Sequence, residues 1–156
     1  MITIFTDGSC YARHAEKLGG IGIYIIYDDN TEEFLSKGYK NTSIARMEMT
    51  AILEALKHIV DKSQLITFYS DSEFIVKSFN QGWLTRWQKE YFTGVKNSDI
   101  WLQITEEKSK FTGQIIFQHT NGHRMDLDDP IALGNNICDL LADYKNFFKV
   151  RVKIKN

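Results

Sequence analysis

Four carboxylates stand where packing alone would not place a charge. Asp7 closes the apolar run Ile2-Thr3-Ile4-Phe5-Thr6, and Asp71 closes a second run from Gln64 to Ser70. Glu48 falls on the apolar face of a helical pattern, and Asp139 lies in a later amphipathic helix. Each has an ordinary structural explanation: Asp7 as a turn residue before Gly8, Asp71 as a helix cap, Asp139 as a first-turn acid favoured by the helix dipole. Glu48 is harder to explain away, because a buried carboxylate needs a partner and neither Arg46 nor Lys57 lies at i±3 or i±4 from it. Gathered in one place, the four would make a hard, oxygen-only site suited to Mg²⁺ or Mn²⁺. No Cys or His cluster argues for zinc.

The elements that must carry these residues follow from periodicity. Residues 2–10 read as a strand, with Gly8 and Ser9 turning the backbone away so that Asp7 is left at its end. Residues 20–28 and 32–40 read as two more strands, an antiparallel meander with a polar loop from Tyr11 to Leu18. Ser43 caps a helix in which Ile44, Met47, Ala51, Ile52, Ala55, Leu56 and Ile59 recur at helical spacing. The run ending at Ser70 suits a strand covered on both faces, delivering Asp71 to a helix that Ser72 can cap. Such a strand, helix and strand form a right-handed parallel unit, with ligands bound beyond the carboxyl ends of the strands.

Residues 81–97 interleave Trp83 and Trp87, at i and i+4, with Arg86, Lys89 and Lys96. The tryptophans are either core or an aromatic and basic surface for nucleic acid. A helix over 98–108 and a strand over 114–118 follow. His119 to Asn136 reads as a long polar loop leading into a helix striped by Ile137, Leu140, Leu141, Tyr144 and Phe148, which puts Asp139 in its first turn. Asp126, Asp128 and Asp129 lack the Gly and terminal Glu of a calcium loop.

Composition bounds the rest. A chain of 156 residues, 43% hydrophobic with one Pro, is an ordinary single-domain globular protein. No apolar run reaches the roughly 20 residues of a membrane span, and no secretory signal is visible. Cys10 and Cys138 alone make no disulfide framework, so a reducing cytoplasm is the expected location. Nothing in the sequence demands a dimer, and a monomer is the expected state. The formal net charge of −1 leaves any nucleic-acid argument to local patches.

Thr6-Asp7-Gly8-Ser9-Cys10, Arg46-Met47-Glu48, Ser70-Asp71-Ser72, Gly122-His123 and Gly134-Asn135 with Asp139 resemble, in order and context, the type 1 ribonuclease H family. Trp83, Trp87 and Val95-Lys96-Asn97 through Asp99 and Trp101 resemble it too, and the similarity covers about residues 2–148. The resemblance implies an α/β, ribonuclease H-like fold: a five-stranded mixed sheet, three strands antiparallel and two parallel, flanked by helices. It implies a catalytic domain over 1–149, with 150–156 as a short basic and aliphatic tail. It also implies Mg²⁺- or Mn²⁺-dependent hydrolysis of the RNA strand of an RNA–DNA hybrid, leaving 3′-hydroxyl and 5′-phosphate ends. Asp7 would bridge two ions, Glu48 and Asp71 completing the one nearer the leaving oxygen and Asp139 the one nearer the attacking water. His123 would carry a proton or help product release. Gly8, Ser9 and Cys10 match positions on the RNA side, and Ser72 is an expected substrate contact. Ser43 matches a phosphate-contacting hydroxyl, and Trp83, Trp87 and Asn97 match the DNA side.

The chain also departs from the family pattern. Ile44-Ala45 replace an Asn pair, Tyr11-Ala12-Arg13-His14 replace a loop containing another Asn, and Glu73 stands where Gln is usual. The loop between His123 and Asp139 is longer than in many relatives and is expected to reach over the site. Arg86, Lys89 and Lys96 form a reduced basic handle, opposed by Glu90, so weak and salt-sensitive hybrid binding is expected. Val150-Arg151-Val152-Lys153-Ile154-Lys155 alternates, fitting either a strand whose basic face meets nucleic acid or a charged, self-associating edge. Two other functions fit the residues: a nuclease of the same fold acting on DNA, and a non-catalytic hybrid-binding module.

Overall fold

The computed structural model describes residues 1–121 and 128–143. Alternating and β-branched sequence builds the first three strands, β1 (Ile2–Tyr11), β2 (Leu18–Ile26) and β3 (Glu32–Tyr39). They are followed by α1 (Ile44–His58), β4 (Ile66–Ser70), α2 (Glu73–Asn80), α3 (Trp83–Lys89), α4 (Ser98–Ser109), β5 (Ile115–His119) and α5 (Pro130–Ala142). The five strands form one sheet in the order β3-β2-β1-β4-β5. β1 pairs antiparallel with β2 and β2 with β3, while β4 is parallel to both β1 and β5. The expected mixed five-stranded sheet is present. Among the described residues, no helix is long and apolar enough to cross a membrane.

The two faces of the sheet are covered unequally. On one face, Ile4, Ile21, Ile23, Met49, Ile52, Leu56, Phe68, Ile75, Trp101 and Ile104 belong to a single buried core beneath α1, α2 and α4. On the other, among the described residues, Phe5, Tyr24 and Cys138 form a smaller buried cluster under α5, with Ile26, Tyr69, Ile137 and Leu141 packed against it. There, rings stack across the strands, Phe34 on Tyr24 at 4.9 Å, Tyr24 on Phe5 at 5.7 Å and Phe5 on Tyr69 at 5.1 Å.

Three local expectations change. β1 does not turn at Gly8 and Ser9 but runs on beside β2 to the pair Tyr11↔Leu18. Gly8 serves a close approach instead: a Cβ there would lie 2.4 Å from the Glu48 nitrogen, so its absence lets α1 lie against the strand. Two residues of the expected apolar faces are exposed, Ile44 at 60% in the first turn of α1 and Leu140 at 70% on α5.

The third change concerns α5, which begins well before Ile137. Asp129 caps it, its side chain accepting from the Ile131 N–H at 3.0 Å, and Pro130 fits the first turn because its missing N–H would have no partner there. Gly134 lets the helix rest on the Phe5 ring, where a Cβ would meet ring carbon at 2.4 Å. Asn135, 3% exposed, accepts from the Thr120 hydroxyl at 3.2 Å. These contacts turn a Gly- and Asn-containing stretch of modest helix propensity into helix. The expectations for His123, the reach of residues 124–127 and Asp126 lie outside the described residues, as do Tyr144, Phe148 and the 150–156 tail.

Candidate active site

Register puts the first two carboxylates side by side. β1 and β4 pair in parallel only as far as Thr6↔Ser70, so the next residue on each chain is an aspartate, Asp7 and Asp71. β1 then continues with β2 alone, leaving Asp7 at the step where β4 has ended. Ser72 caps α2, accepting from the Ile75 N–H at 3.4 Å, which leaves Asp71 out of the capping role. Glu48 enters from α1 beside the uncluttered Gly8 backbone. One carboxylate oxygen each from Asp7, Glu48 and Asp71 lie within 4.8 Å of one another.

Asp139 comes from the opposite face of the sheet, near enough to Asp7 that its carboxylate adds to the rise of the Asp7 carboxyl. It stands near the C-terminal end of α5, not in its first turn, because the helix starts at Pro130. The dipole there disfavours a carboxylate, so the ordinary explanation for Asp139 is removed. The other ordinary explanations weaken too. Arg46 pairs with Asp99 at 2.8 Å and Lys57 with Glu54 at 3.8 Å, and no Lys or Arg among the described residues forms a salt bridge with Asp7 or Glu48.

The result is a concentration of buried, uncompensated acid. Asp7 is 4% and Glu48 8% exposed. Burial, then the charge of Asp71, raises the Asp7 carboxyl to about 8, with Asp139 adding to the rise and a hydrogen bond with Glu48 opposing it. Burial and the charges of Asp7 and Asp71 likewise hold the Glu48 carboxyl well above the usual carboxylate range. Glu48 Oε2 is buried without a hydrogen-bond partner among the described residues. Clustered hard oxygens, one of them orphaned, fit a divalent cation of the Mg²⁺ class, whose binding would satisfy the lone pairs and relieve the repulsion.

Around this cluster the other expected residues have visible structural work. Ser43 caps α1, accepting from the Arg46 N–H at 3.3 Å. The Ser9 hydroxyl donates to the Ala142 carbonyl at the end of α5, and the Cys10 thiol lies 3.6 Å from the Thr42 carbonyl. Asn97, left-handed at φ 59°, accepts from Arg46 Nη1 at 3.2 Å. Trp83 and Trp87 are both half-buried, their rings 6.3 Å apart, with Trp87 packed on the core and 5.6 Å from Trp101. They are therefore neither pure core nor free surface.

Three features escaped the sequence reading. Phe74, 51% exposed, lies 6.1 Å from Trp83 and 6.2 Å from Trp87 and extends the aromatic surface. Arg46 grips both oxygens of Asp99 while holding Asn97, tying α1 to the start of α4. His119 ends β5 with Nε2 3.2 Å from the Asp71 carbonyl. Only Phe74 had a signal in the sequence, an aromatic at the start of an amphipathic helix.

A five-stranded mixed sheet with carboxylates gathered where β1 outruns β4 defines the ribonuclease H-like class of fold. The ribonuclease H family model matches residues 1–146. A ribonuclease H of Chlorobium luteolum is 37% identical over 147 residues, covering 90% of this chain and 92% of its own. A ribonuclease HI of Haemophilus influenzae is 37% identical over 148 residues, covering 90% of this chain and 86% of its own. A solved foamy viral protease-reverse transcriptase in complex with RNA/DNA hybrid superimposes with a TM-score of 0.74 over 90% of this chain, at 22% identity. This chain spans 19% of that protein, and the likeness bears on fold alone. The chain belongs to the type 1 ribonuclease H family of enzymes.

Proposed function

We propose that this chain hydrolyses the RNA strand of RNA–DNA hybrids, acting as a cytoplasmic monomer on a domain spanning 1–149 and leaving 3′-hydroxyl and 5′-phosphate ends. The observation that carries the reading is the acidic cluster of Asp7, Glu48 and Asp71, with Glu48 Oε2 orphaned, in a chain whose relatives bear the name ribonuclease H.

Asp7, Glu48, Asp71 and Asp139 would hold two Mg²⁺ ions, or Mn²⁺ in their place. Bound there, the ions supply activation of a water for attack on the scissile phosphate and stabilisation of the departing 3′-oxygen. The chain's own residues set the conditions. Asp7, in contact with carboxylates from both faces of the sheet, is the shared member of the set. Glu48 brings a buried oxygen that no group among the described residues satisfies. Because Asp7 and Glu48 must lose protons to bind a cation, metal affinity rises with pH. His123, placed here by sequence alone, is the proposed proton carrier. Trp83, Trp87 and Asn97 would offer a surface to the DNA strand, Gly8, Ser9 and Cys10 would meet the RNA strand, Ser43 would contact a phosphate and Ser72 would contact the substrate.

The test is cleavage of a labelled hybrid beside single-stranded RNA, duplex RNA and duplex DNA, with Mg²⁺, Mn²⁺ or EDTA, for the native chain and Asp7→Asn. Metal-dependent cutting of the RNA strand alone, lost in Asp7→Asn, is the expected result. Cutting of duplex DNA would reassign the substrate, and binding of the hybrid without cleavage by the native chain would make this a binding module.

A further inference from the structure

The end of α5 is laid on a glycine. Asp7 on β1 pairs with Gly22 on β2, and Gly22 pairs with Ser36 on β3, so the three stand in one row across the sheet. That row lies two residues along each strand from the stacked rings of Phe5, Tyr24 and Phe34, so its side chains project to the same face, the one α5 covers. Gly22 projects none, and the helix fills the gap. A Cβ there would lie 2.3 Å from the Cys138 carbonyl oxygen, 2.7 Å from the Ala142 nitrogen and 2.8 Å from the Leu141 Cβ. The last turn of α5 therefore rests between Asp7 on the inner side and Ser36 on the outer.

Two hydroxyls close that turn. The final carbonyls of a helix have no i+4 N–H within it and need other donors. The Leu140 carbonyl accepts from the Asp143 N–H at 3.4 Å, the Leu141 carbonyl from the Ser36 hydroxyl and the Ala142 carbonyl from the Ser9 hydroxyl. Capping of this kind stabilises any helix, but here the turn it holds carries Asp139, two residues before Leu141 and three before Ala142. One donor comes from the edge strand β3 and the other from β1, two residues beyond Asp7, so the turn is pinned on both flanks. The hydroxyl protons also oppose the negative end of the helix dipole, the end that disfavours a carboxylate at Asp139. Asp139 is exposed, so packing does not hold its side chain and its distance from Asp7 is set by the backbone of this turn.

We infer that Ser36, on the edge strand, is a positioning residue for the carboxylate site: with Ser9 it seats the last turn of α5 on Gly22 and so holds Asp139 beside Asp7. The inference deepens the proposed function and rests on it for Asp139 as a metal ligand. Ser36 acts only through α5.

The test is calorimetric titration of the metal-free chain with Mn²⁺, with the melting temperature and the kcat and KM of hybrid cleavage measured alongside. The native chain is compared with Ser36→Ala, Ser36→Thr, Asp139→Asn, and Ser36→Ala combined with Asp139→Asn. Asp139→Asn leaves the Asp7, Glu48 and Asp71 oxygens in place, so Mn²⁺ binding stays measurable. Ser36→Ala is expected to weaken Mn²⁺ binding about fivefold and to lower kcat by a similar factor with KM unchanged, the scale of one net hydrogen bond. Ser36→Thr keeps the hydroxyl and should stay within about twofold of the native chain. In the Asp139→Asn background the alanine should change Mn²⁺ binding by less than about 1.5-fold, because a residue acting through Asp139 has nothing left to act on. A lowered melting temperature with native Mn²⁺ affinity in Ser36→Ala would overturn the inference and leave a helix cap. So would an equal loss in both backgrounds. A loss confined to the background that keeps Asp139, with no cleavage by the native chain, keeps the positioning role and removes the nuclease. Cleavage by the native chain with Ser36→Ala unchanged from it does the reverse, and a native chain that binds no Mn²⁺ overturns both.

Discussion

The two faces of the sheet hold the same site by different means. On the α1 face, Glu48 projects from a helix set into the main core, where Ala51, Ile52, Ala55 and Leu56 have no exposure. On the α5 face, Asp139 is exposed on a helix that, among the described residues, rests on a layer of stacked rings and specific contacts such as Gly134 on Phe5 and Asn135 with Thr120. Asp7 joins the two. The difference teaches that one carboxylate can be fixed by bulk burial while its neighbour depends on a handful of contacts, and the two should fail differently.

The largest effect should come from the carboxylates themselves. Asp7→Asn is expected to reduce hybrid cleavage by at least about 10³-fold, some 4 kcal/mol in barrier, because Asp7 is the carboxylate the other members of the cluster gather around. Asp139→Asn, at an exposed position where an amide oxygen still faces the site, is expected to lose about tenfold. Equal losses, measured as kcat/KM in the same assay, would break the asymmetry.

Next comes the dependence of stability on pH. The folded Asp7 carboxyl sits at about 8 against an ordinary 3.8, so its contribution is complete below about pH 4 and is lost as pH rises towards 8. The metal-free protein should therefore lose up to about 4 kcal/mol between pH 5 and 8 from this group. Mg²⁺ should recover more stability at pH 8 than at pH 6. Chemical denaturation of the native chain and Asp7→Asn checks this, and a metal-free stability that rises with pH over this range in the native chain would contradict the cause assigned here.

A pair of glycines compares the helices directly. A Cβ at Gly8 would meet the α1 backbone at 2.4 Å, and one at Gly22 would meet the Cys138 carbonyl of α5 at 2.3 Å. Gly8→Ala should cost about 3 kcal/mol because α1 cannot shift within the main core, and Gly22→Ala nearer 1 to 2 because α5 can. Urea midpoints measure both, and the reverse order would show that the α5 face is the more rigid. The smallest effect is Asp129→Ala, which removes the α5 cap and should cost about 1 kcal/mol. Hydrogen exchange should show the loss confined to the first turns of α5.

Legibility followed the same division. Glu48 was readable because its helix obeys one period and one cap, both local properties, and its missing partners could be checked by spacing. Asp71 was readable because a short apolar run ended before it with Ser72 ready to cap. The start of α5 was hidden: Ile131 to Asn136 contains Gly134 and two asparagines, which read as loop, and their helix depends on Phe5 and Thr120 far away in sequence. Phe74 and the half-buried tryptophans were ambiguous for a related reason, since an aromatic residue serves core and surface equally well until its neighbours are known.

Sequence alone determined the order of the strands and of α1, α2, α4 and α5, the caps at Ser43 and Ser72 and the four carboxylates, because these depend on residue type and near-neighbour spacing. Only the tertiary structure decided that Gly8 marks a close approach and not a turn, that Asp139 belongs to the end of its helix, and that carboxylates from both faces of the sheet meet at Asp7. Those facts rest on pairing register and on contacts between residues distant in the chain, and local periodicity carries no record of either.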